Sequence, residues 1–274
     1  MEISQIAENL ILQDGIWRSK SQSSISYPEQ GNEVCFQIED QSFWFNHRNR
    51  CIVKIVQRFP PEDLFFDVGG GNGFVSLALA NAGIKTVLIE PGEKGVVNAR
   101  NRGVQNIIHS TLEDAGFKDR SLPAVGMFDV LEHIQDDVKF LKTLHDLMCP
   151  NGRLYITVPA HQWLWSVVDD DSGHYRRYTI NSLNEVLTRS GYKIEFTSYF
   201  FSPLPLPIYL FRTIPSRLGY RKGGGVQGCQ GELSSPSPLV NKALKYTLGI
   251  ELSILNKRQI PLGASCILVA SAIG

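Results

Sequence analysis

Between Leu64 and Gly92 the chain leaves little freedom of fold. Leu64 to Val68 is a short apolar run of the kind that forms a buried strand. It breaks into a turn holding Gly69, Gly70, Gly71 and Gly73, where a missing Cβ permits positive φ and lets a ligand touch the main chain. Phe74 to Asn81 has helical character, and Thr86 to Ile89 is a second apolar strand that ends on Glu90. Strand, glycine turn, helix, strand and acid is the nucleotide-binding βαβ layout. At the tip of the second strand, the Glu90 carboxylate can accept hydrogen bonds from both hydroxyls of a ribose.

The spacing of the turn separates two kinds of ligand. A dinucleotide site uses Gly-x-Gly-x-x-Gly with the helix N-terminus facing a pyrophosphate. Here the pattern is Asp67-x-Gly69-x-Gly71-x-Gly73, and an acid ahead of the glycines repels a pyrophosphate but suits an ammonium group. The pattern resembles motif I of the class I S-adenosylmethionine (SAM) dependent methyltransferases. Asp129-Val130-Leu131-Glu132-His133-Ile134 looks like the segment that follows the fourth strand in many small-molecule and lipid methyltransferases, the type 11, 12 and 23 subgroups. Pro159 to Thr179 is similar to a loop of one subgroup, Val-Pro-Ala…Leu-Trp-Ser…Asp…Gly-His-x-Arg-Arg-Tyr.

The resemblance covers Phe43 to Phe200 and the last strand. It implies an α/β, doubly wound, Rossmann-like fold: a seven-stranded sheet in the order 3-2-1-4-5-7-6 with strand 7 antiparallel. It implies SAM as cofactor and S-adenosyl-L-homocysteine (SAH) as product. Asp67 would orient the methionine end, Gly69, Gly71 and Gly73 would allow close backbone approach, and Glu90 would hold the ribose. Thr111 and Leu112 would bound the adenine, with Glu113 or Asp114 as other sources of the polar contact. Asp129 would border the sulfonium.

Composition excludes more than it assigns. The 27 basic residues balance 27 acidic ones, so nothing global suggests nucleic acid, which calls for a basic surface. The five cysteines are odd in number, widely spaced and without a Cys-x-x-Cys pair. That pattern fits reduced thiols in the cytoplasm and argues against a zinc site; no metal is expected. Met1 to Leu12 carries acids and only a brief apolar run, unlike a secretory signal, and no apolar segment reaches the ~18 residues of a membrane span.

Along the chain, residues 1–59 read as a lid segment, 60–200 as the cofactor-binding core, 201–262 as a cap insertion and 263–274 as the final core strand. Ile3 to Leu12 suits a short helix, and Gln30-Gly31-Asn32 suits a hairpin turn between Ile25–Tyr27 and Val34–Phe36. Ile52 to Phe59 has helical periodicity and stops at Pro60-Pro61. Asp137 to Met148 is amphipathic, and Thr179 caps a helix from Ile180 to Ser190. Gly219 to Pro238, rich in Gly, Ser, Gln and Pro, is expected to be mobile.

On the acceptor side, His133 is either packed at a helix start or close to the transferred methyl. Trp44 and Arg48 belong either to an aromatic plug or to a lid over the cofactor. Trp165, His174, Arg176 and Tyr178 either touch the acceptor or tie their own loop together. A hydroxyl acceptor calls for a base, His174 or His133; a carboxylate acceptor would use Arg176 or Arg177 as an orienting fork. The favoured reading is O-methylation of a small hydrophobic or lipid-linked acceptor, with peripheral membrane contact and no nucleic acid. A non-catalytic SAM-binding protein and an RNA or protein methyltransferase are the alternatives.

Overall fold

Nine strands form one sheet in the order β1-β2-β5-β4-β3-β6-β7-β9-β8. The strands are β1 (Leu10–Gln13), β2 (Ile16–Ser19), β3 (Phe65–Val68), β4 (Thr86–Ile89), β5 (Ile107–His109), β6 (Leu122–Phe128), β7 (Met148–Pro159), β8 (Tyr192–Phe200) and β9 (Ser265–Ala272). This computed structural model describes residues 2–21, 29–220 and 238–274. The seven-strand expectation is therefore corrected: the expected order omits an N-terminal hairpin that extends the sheet beyond β5. The hairpin turns on Asp14-Gly15, both at positive φ (49° and 78°), as a two-residue turn between right-twisted strands requires. Its second strand runs parallel to β5, with Trp17 opposite Ile108.

β3 and β4 are buried at every position, as expected of strands covered on both faces. α3 (Phe43–Arg58), α4 (Phe74–Asn81) and α11 (Pro238–Leu255) cover one face, where Ile52, Ile55, Leu79 and Leu255 are at most 1% exposed. α6 (Asp137–Leu147) and α8 (Ile180–Arg189) cover the other through Leu141, Leu144 and Leu187. Each such side chain contributes about 1.5–3 kcal/mol of apolar burial. Thr179 does cap α8, its hydroxyl accepting from the Ser182 amide at 3.1 Å.

The N-terminal region departs from the sequence reading. α1 spans only Ile3–Ile6, and Leu10 to Leu12 belong to β1 instead. Val34 to Phe36 lie in α2 (Glu29–Ile38), so the predicted hairpin strand is a helix; the other predicted strand, Ile25–Tyr27, lies outside the described residues. α3 begins nine residues before Ile52, taking Trp44 and Arg48 onto a helix.

After β8 the chain enters the insertion. α9 (Pro205–Ile208) passes through a π turn (Tyr209–Thr213) into α10 (Ile214–Arg217). Most of the segment expected to be mobile lies outside the described residues. α11 returns to pack on α3, and the two are joined by a buried pair, His47 Nε2 to Glu251 Oε1 at 2.7 Å. Glu251 also accepts the backbone amides of Phe201, at 2.8 Å, and Ser202. No helix among the described residues is long and apolar enough to cross a membrane.

Candidate active site

A cavity of about 460 Å³ opens at the carboxyl ends of β3, β4 and β6, the place where open α/β sheets bind ligands. Its floor is the glycine turn. Gly69 and Gly71 stand at φ +69° and +55° and both face the cavity. A Cβ on Gly71 would meet only Asn32 Oδ1, at 3.6 Å, so the space above it is open to a ligand. Gly69, whose Cβ would lie 2.9 Å from Val130 Cγ2, is held to glycine by packing as well, as are Gly70, which also lines the cavity, and Gly73. A Cβ on Gly70 would strike Leu88 Cδ1 at 2.4 Å, and one on Gly73 would strike Val104 Cγ2 at 2.7 Å. Gly73 lies outside the cavity lining, so its glycine is explained by contact with α5 (Glu93–Arg102) and the residues after it.

Two acids flank this turn. Asp67 is fully buried; its Oδ2 accepts from Ser76 Oγ at 2.6 Å, while Oδ1 has no partner. Burial raises its pKa to about 6, opposed by Ser76 and by the nearby Arg48 charge. Glu90 accepts from the amides of Gly71 at 2.9 Å and Gly92 at 2.8 Å. Burial raises it to about 7 against those two bonds and one from Asn32.

α2 closes the top of the turn, a feature the sequence reading missed. Its Asn32 carbonyl accepts from Asn72 Nδ2 at 2.8 Å, and Glu39 pairs with Arg102 of α5 at 2.9 Å. Asn32, Cys35 and Glu39 face the cavity. Their signal was hidden because the polar Glu-Gln-Gly-Asn-Glu run reads as a turn.

Two further loops line the cavity. After β6, Asp129 takes φ +58°, an unfavourable conformation for a non-glycine residue and one that recurs at functional sites. Its Oδ2 pairs with Arg48 Nη1, and its Oδ1 accepts from Thr157 Oγ1 at 3.1 Å. Leu131–His133 follow as a short turn that brings Glu132 and His133 to the wall. Burial, then the His174 ring, lower His133 to about 4. Burial, then Asp129, push the Glu132 carboxyl well above the usual range.

The second loop is organised by Asp169, which was quoted in the sequence motif but given no role. It is fully buried in α7 (Val167–Asp171) and forms a capping box with Ser166. Arg177 holds both its oxygens, through Nε at 2.7 Å and Nη2 at 3.1 Å, and His174 Nδ1 lies 3.0 Å from Oδ1. Burial would raise this carboxyl, but His174 and Arg177 outweigh it and hold it far below the usual range. The contact with Asp169 orients the His174 ring through Nδ1, and the side chain lines the cavity.

Trp44, Arg48, Asp67, Gly69, Gly71 and Glu90 thus line one cavity with Asp129, His133 and His174. Arg177, the other candidate fork, also lines it, whereas Gly73, Thr111, Leu112, Trp165, Arg176 and Tyr178 stand outside. Thr111 Oγ1 accepts the Asp114 amide at 3.0 Å, and Leu112 is in the core. Trp165 Nε1 donates to Asp170 at 3.1 Å. Arg176 and Tyr178 both grip Asp137, at 2.7 and 2.8 Å, and tie the loop to α6. Trp44 stacks on Phe201 at 3.9 Å, so it is both cavity wall and anchor for the insertion.

A methyltransferase domain family matches residues 44–195. The chain belongs to this methyltransferase domain family. A probable SAM-dependent methyltransferase of Mycolicibacterium smegmatis is 22% identical over 62% of this chain and 67% of its own length. A ubiquinone biosynthesis O-methyltransferase of Parvibaculum lavamentivorans is 24% identical over 53% of this chain and 65% of its own. The chain spans about half to two thirds of the curated relatives named Probable S-adenosylmethionine-dependent methyltransferase, 47% in the Mycobacterium tuberculosis case. In fold, the chain is similar to a Haemonchus contortus phosphoethanolamine N-methyltransferase solved with SAM (TM-score 0.56, 16% identity, 94% of this chain and 62% of that one). The cofactor of this methyltransferase is SAM, and the residues present suit it. The orphaned Asp67 Oδ1 can accept an ammonium, the bare Gly71 leaves room for the ligand chain, and the Glu90 carboxylate in the same lining can accept from hydroxyls.

Proposed function

We propose that this methyltransferase methylates a hydroxyl oxygen on a hydrophobic, lipid-linked acceptor. The observation that supports the reading is the Asp169–His174 pair at the cavity wall: with Nδ1 donating to Asp169, Nε2 would be left to take a proton from an acceptor hydroxyl. The two arginines that the sequence offered as a fork for a carboxylate acceptor are each paired with an acid, Arg176 with Asp137 and Arg177 with Asp169. The name of the Parvibaculum relative, an O-methyltransferase of ubiquinone biosynthesis, points the same way.

SAM supplies a methyl carbon already activated by a positive sulfur. The chain's residues then have three tasks: to hold the nucleophile in line at about 3 Å, to exclude water, and to handle one proton. Asp67 and Glu90 fix the two ends of the cofactor, and α2 with α3 covers it. Phe128, Ile134, Pro159, Val168 and Ile208 give the acceptor end an apolar lining. The insertion carries Leu206, Phe211, Leu218 and Tyr220 at 63–84% exposure, a patch suited to a membrane surface where such an acceptor resides.

Two measurements test the reading. Calorimetry with SAH should show binding that Glu90→Ala weakens by about 1–3 kcal/mol, and unchanged affinity removes Glu90 from the ribose. Tritium-labelled SAM incubated with lipid, RNA and protein fractions should label the lipid fraction; label in RNA or protein alone overturns the acceptor class. Liposome flotation of the chain tests the surface contact, and absence of binding to anionic and neutral vesicles rejects it.

A further inference from the structure

Glu132, His133 and His174 meet at the acceptor end of the cavity, each offering one donor atom within 4.8 Å of the other two. The two imidazoles stand edge to face with centroids 4.8 Å apart. Glu132 is 1% exposed, faces the cavity, and its Oε2 has no hydrogen-bond partner. An unpartnered buried carboxyl oxygen beside two imidazoles lacks a counterpart that a cation among them would supply.

We propose that Glu132, His133 and His174 bind a divalent transition metal, zinc or manganese in class, that takes the acceptor's hydroxyl oxygen as a further ligand. Two imidazoles and one carboxylate are a donor set for such ions, and three protein ligands leave a position open for substrate. Asp169 supplies the outer shell. Its bond to His174 Nδ1 orients the ring and presents Nε2 as the ligand atom, while Arg177 fixes the carboxylate in turn. In a tetrahedral site with bonds of about 2.0–2.1 Å, donor atoms stand roughly 3.3 Å apart. The cluster therefore closes by small side-chain rotations when an ion enters. The cysteine pattern that argued against zinc does not bear on this site, because it uses no sulfur.

The role of the ion deepens the O-methyl reading and rests on it; the ion site itself does not. With the ion bound, His174 Nε2 is a ligand and no longer the base, and the metal-bound hydroxyl would instead lose its proton to solvent, at a lower pH than a free one. The oxygen lone pair then forms the O–C bond as the C–S bond breaks, its electron pair returning to sulfur to give the thioether of SAH. The balance is one acceptor hydroxyl and one SAM cation giving one methyl ether, one SAH and one proton.

The other His-Cys-Glu grouping among the described residues, His47, Cys51 and Glu251, serves as the control. Its Glu251 is spent on two backbone amides and on His47. Tag-free full-length protein, stripped with chelator, is titrated calorimetrically with ZnCl2, MnCl2 and MgCl2, and metal content is read by mass spectrometry after dialysis. One ion per chain is expected for zinc or manganese. Glu132→Gln and His174→Ala should each weaken it more than tenfold, Asp169→Asn by 10–100-fold, and Cys51→Ser not at all. SAH binding by Glu132→Gln and His174→Ala reports that they are folded. No stoichiometric ion in the wild type, loss in Cys51→Ser, or unchanged binding in both Glu132→Gln and His174→Ala overturns the proposal. Wild-type protein that binds SAH but no ion defeats the metal site alone; wild-type protein that binds no SAH defeats the methyltransferase reading whatever the metal does.

Discussion

Arg48 and Asp129 stand 81 residues apart in sequence and form one ion pair across the mouth of the cavity. The pair joins α3 to the loop after β6, so two walls of the cavity share a contact. The partners are unequally protected, with Arg48 13% exposed and Asp129 26%. Arg48 Nε already lacks a partner, whereas Asp129 keeps its bond from Thr157. Removing Asp129 therefore leaves a buried cation without its hydrogen-bonded acid, with only the charges of Glu39 and Asp67 near it; removing Arg48 leaves an anion that water and Thr157 still solvate. Asp129→Ala is expected to cost about 3 kcal/mol, a Tm fall of roughly 6–12 °C for a chain of this size. Arg48→Met should cost clearly less. Thermal melts of the two variants check the order, and equal losses would reject the asymmetry.

The glycines of the cofactor turn should separate by phenotype. Gly71 has open space above it, so Gly71→Ala meets no protein atom closer than 3.6 Å and pays mainly for its φ of +55°, about 1–2 kcal/mol. Its methyl group occupies ligand space, and SAH affinity should fall at least tenfold. Gly73→Ala drives a Cβ to 2.7 Å from Val104 and 2.9 Å from Ala99 at φ +71°. It should lose more Tm than Gly71→Ala yet bind SAH comparatively well at low temperature. Melts and calorimetry on both variants distinguish packing glycine from ligand glycine.

That contrast also marks where sequence reading succeeds and stops. The motif from Asp67 to Glu90 was legible because its requirements are local: a buried strand, positive φ and an acid at the next strand end. The role of Gly73 was not, because its close neighbours Ala99 and Val104 come from α5 and beyond. The Asp14-Gly15 hairpin carried a strong turn signal, but its flanking strands are only four residues each, too short for a period-2 pattern to stand out. Arg176 and Tyr178 have the chemistry of ligand-gripping groups, and only the fold reveals that Asp137 absorbs both. Asp169 was one acid in a run of three; burial against Arg177 and His174 singles it out.

Cofactor affinity should depend on pH through Asp67 and Glu90. Both are raised by burial, to about 6 and about 7. In the free protein each therefore holds its proton to a higher pH than the unfolded chain does. Stability falls as pH rises from the ordinary carboxylate range through these values, because the unfolded state sheds its protons first. Ligand binding runs the opposite way: an ammonium and ribose hydroxyls favour the ionised forms. SAH affinity should climb between pH 5.5 and 7.5 and then level, with proton release on binding below pH 7. Calorimetry in two buffers of different ionisation enthalpy measures both. Asp67→Asn should remove the part of the rise centred near pH 6, and a flat wild-type profile would refute the assignment.

Glu251 should act as the latch of the insertion. One carboxylate holds His47 of α3 and the amides of Phe201 and Ser202, where the chain leaves β8. Phe201 sits at φ +59°, a conformation bulky residues adopt only when held, and its ring stacks on Trp44 in the cavity wall. Burial would raise the Glu251 carboxyl, but the bonds from His47 and Ser202 lower it overall. Its contribution is thus present above the unfolded carboxylate pKa and lost as pH falls through the lower folded value. Glu251→Ala leaves three buried donors without acceptors, a loss of about 3–5 kcal/mol. The amides of Phe201 and Ser202 should then exchange with deuterium far faster than those of β7 in the same protein. SAH binding should weaken too, since Trp44 loses its stacking partner. Glu251→Gln keeps one acceptor oxygen and should fall between. Exchange at Phe201 that stays as slow as in β7 would mean the Trp44 stack alone holds the junction.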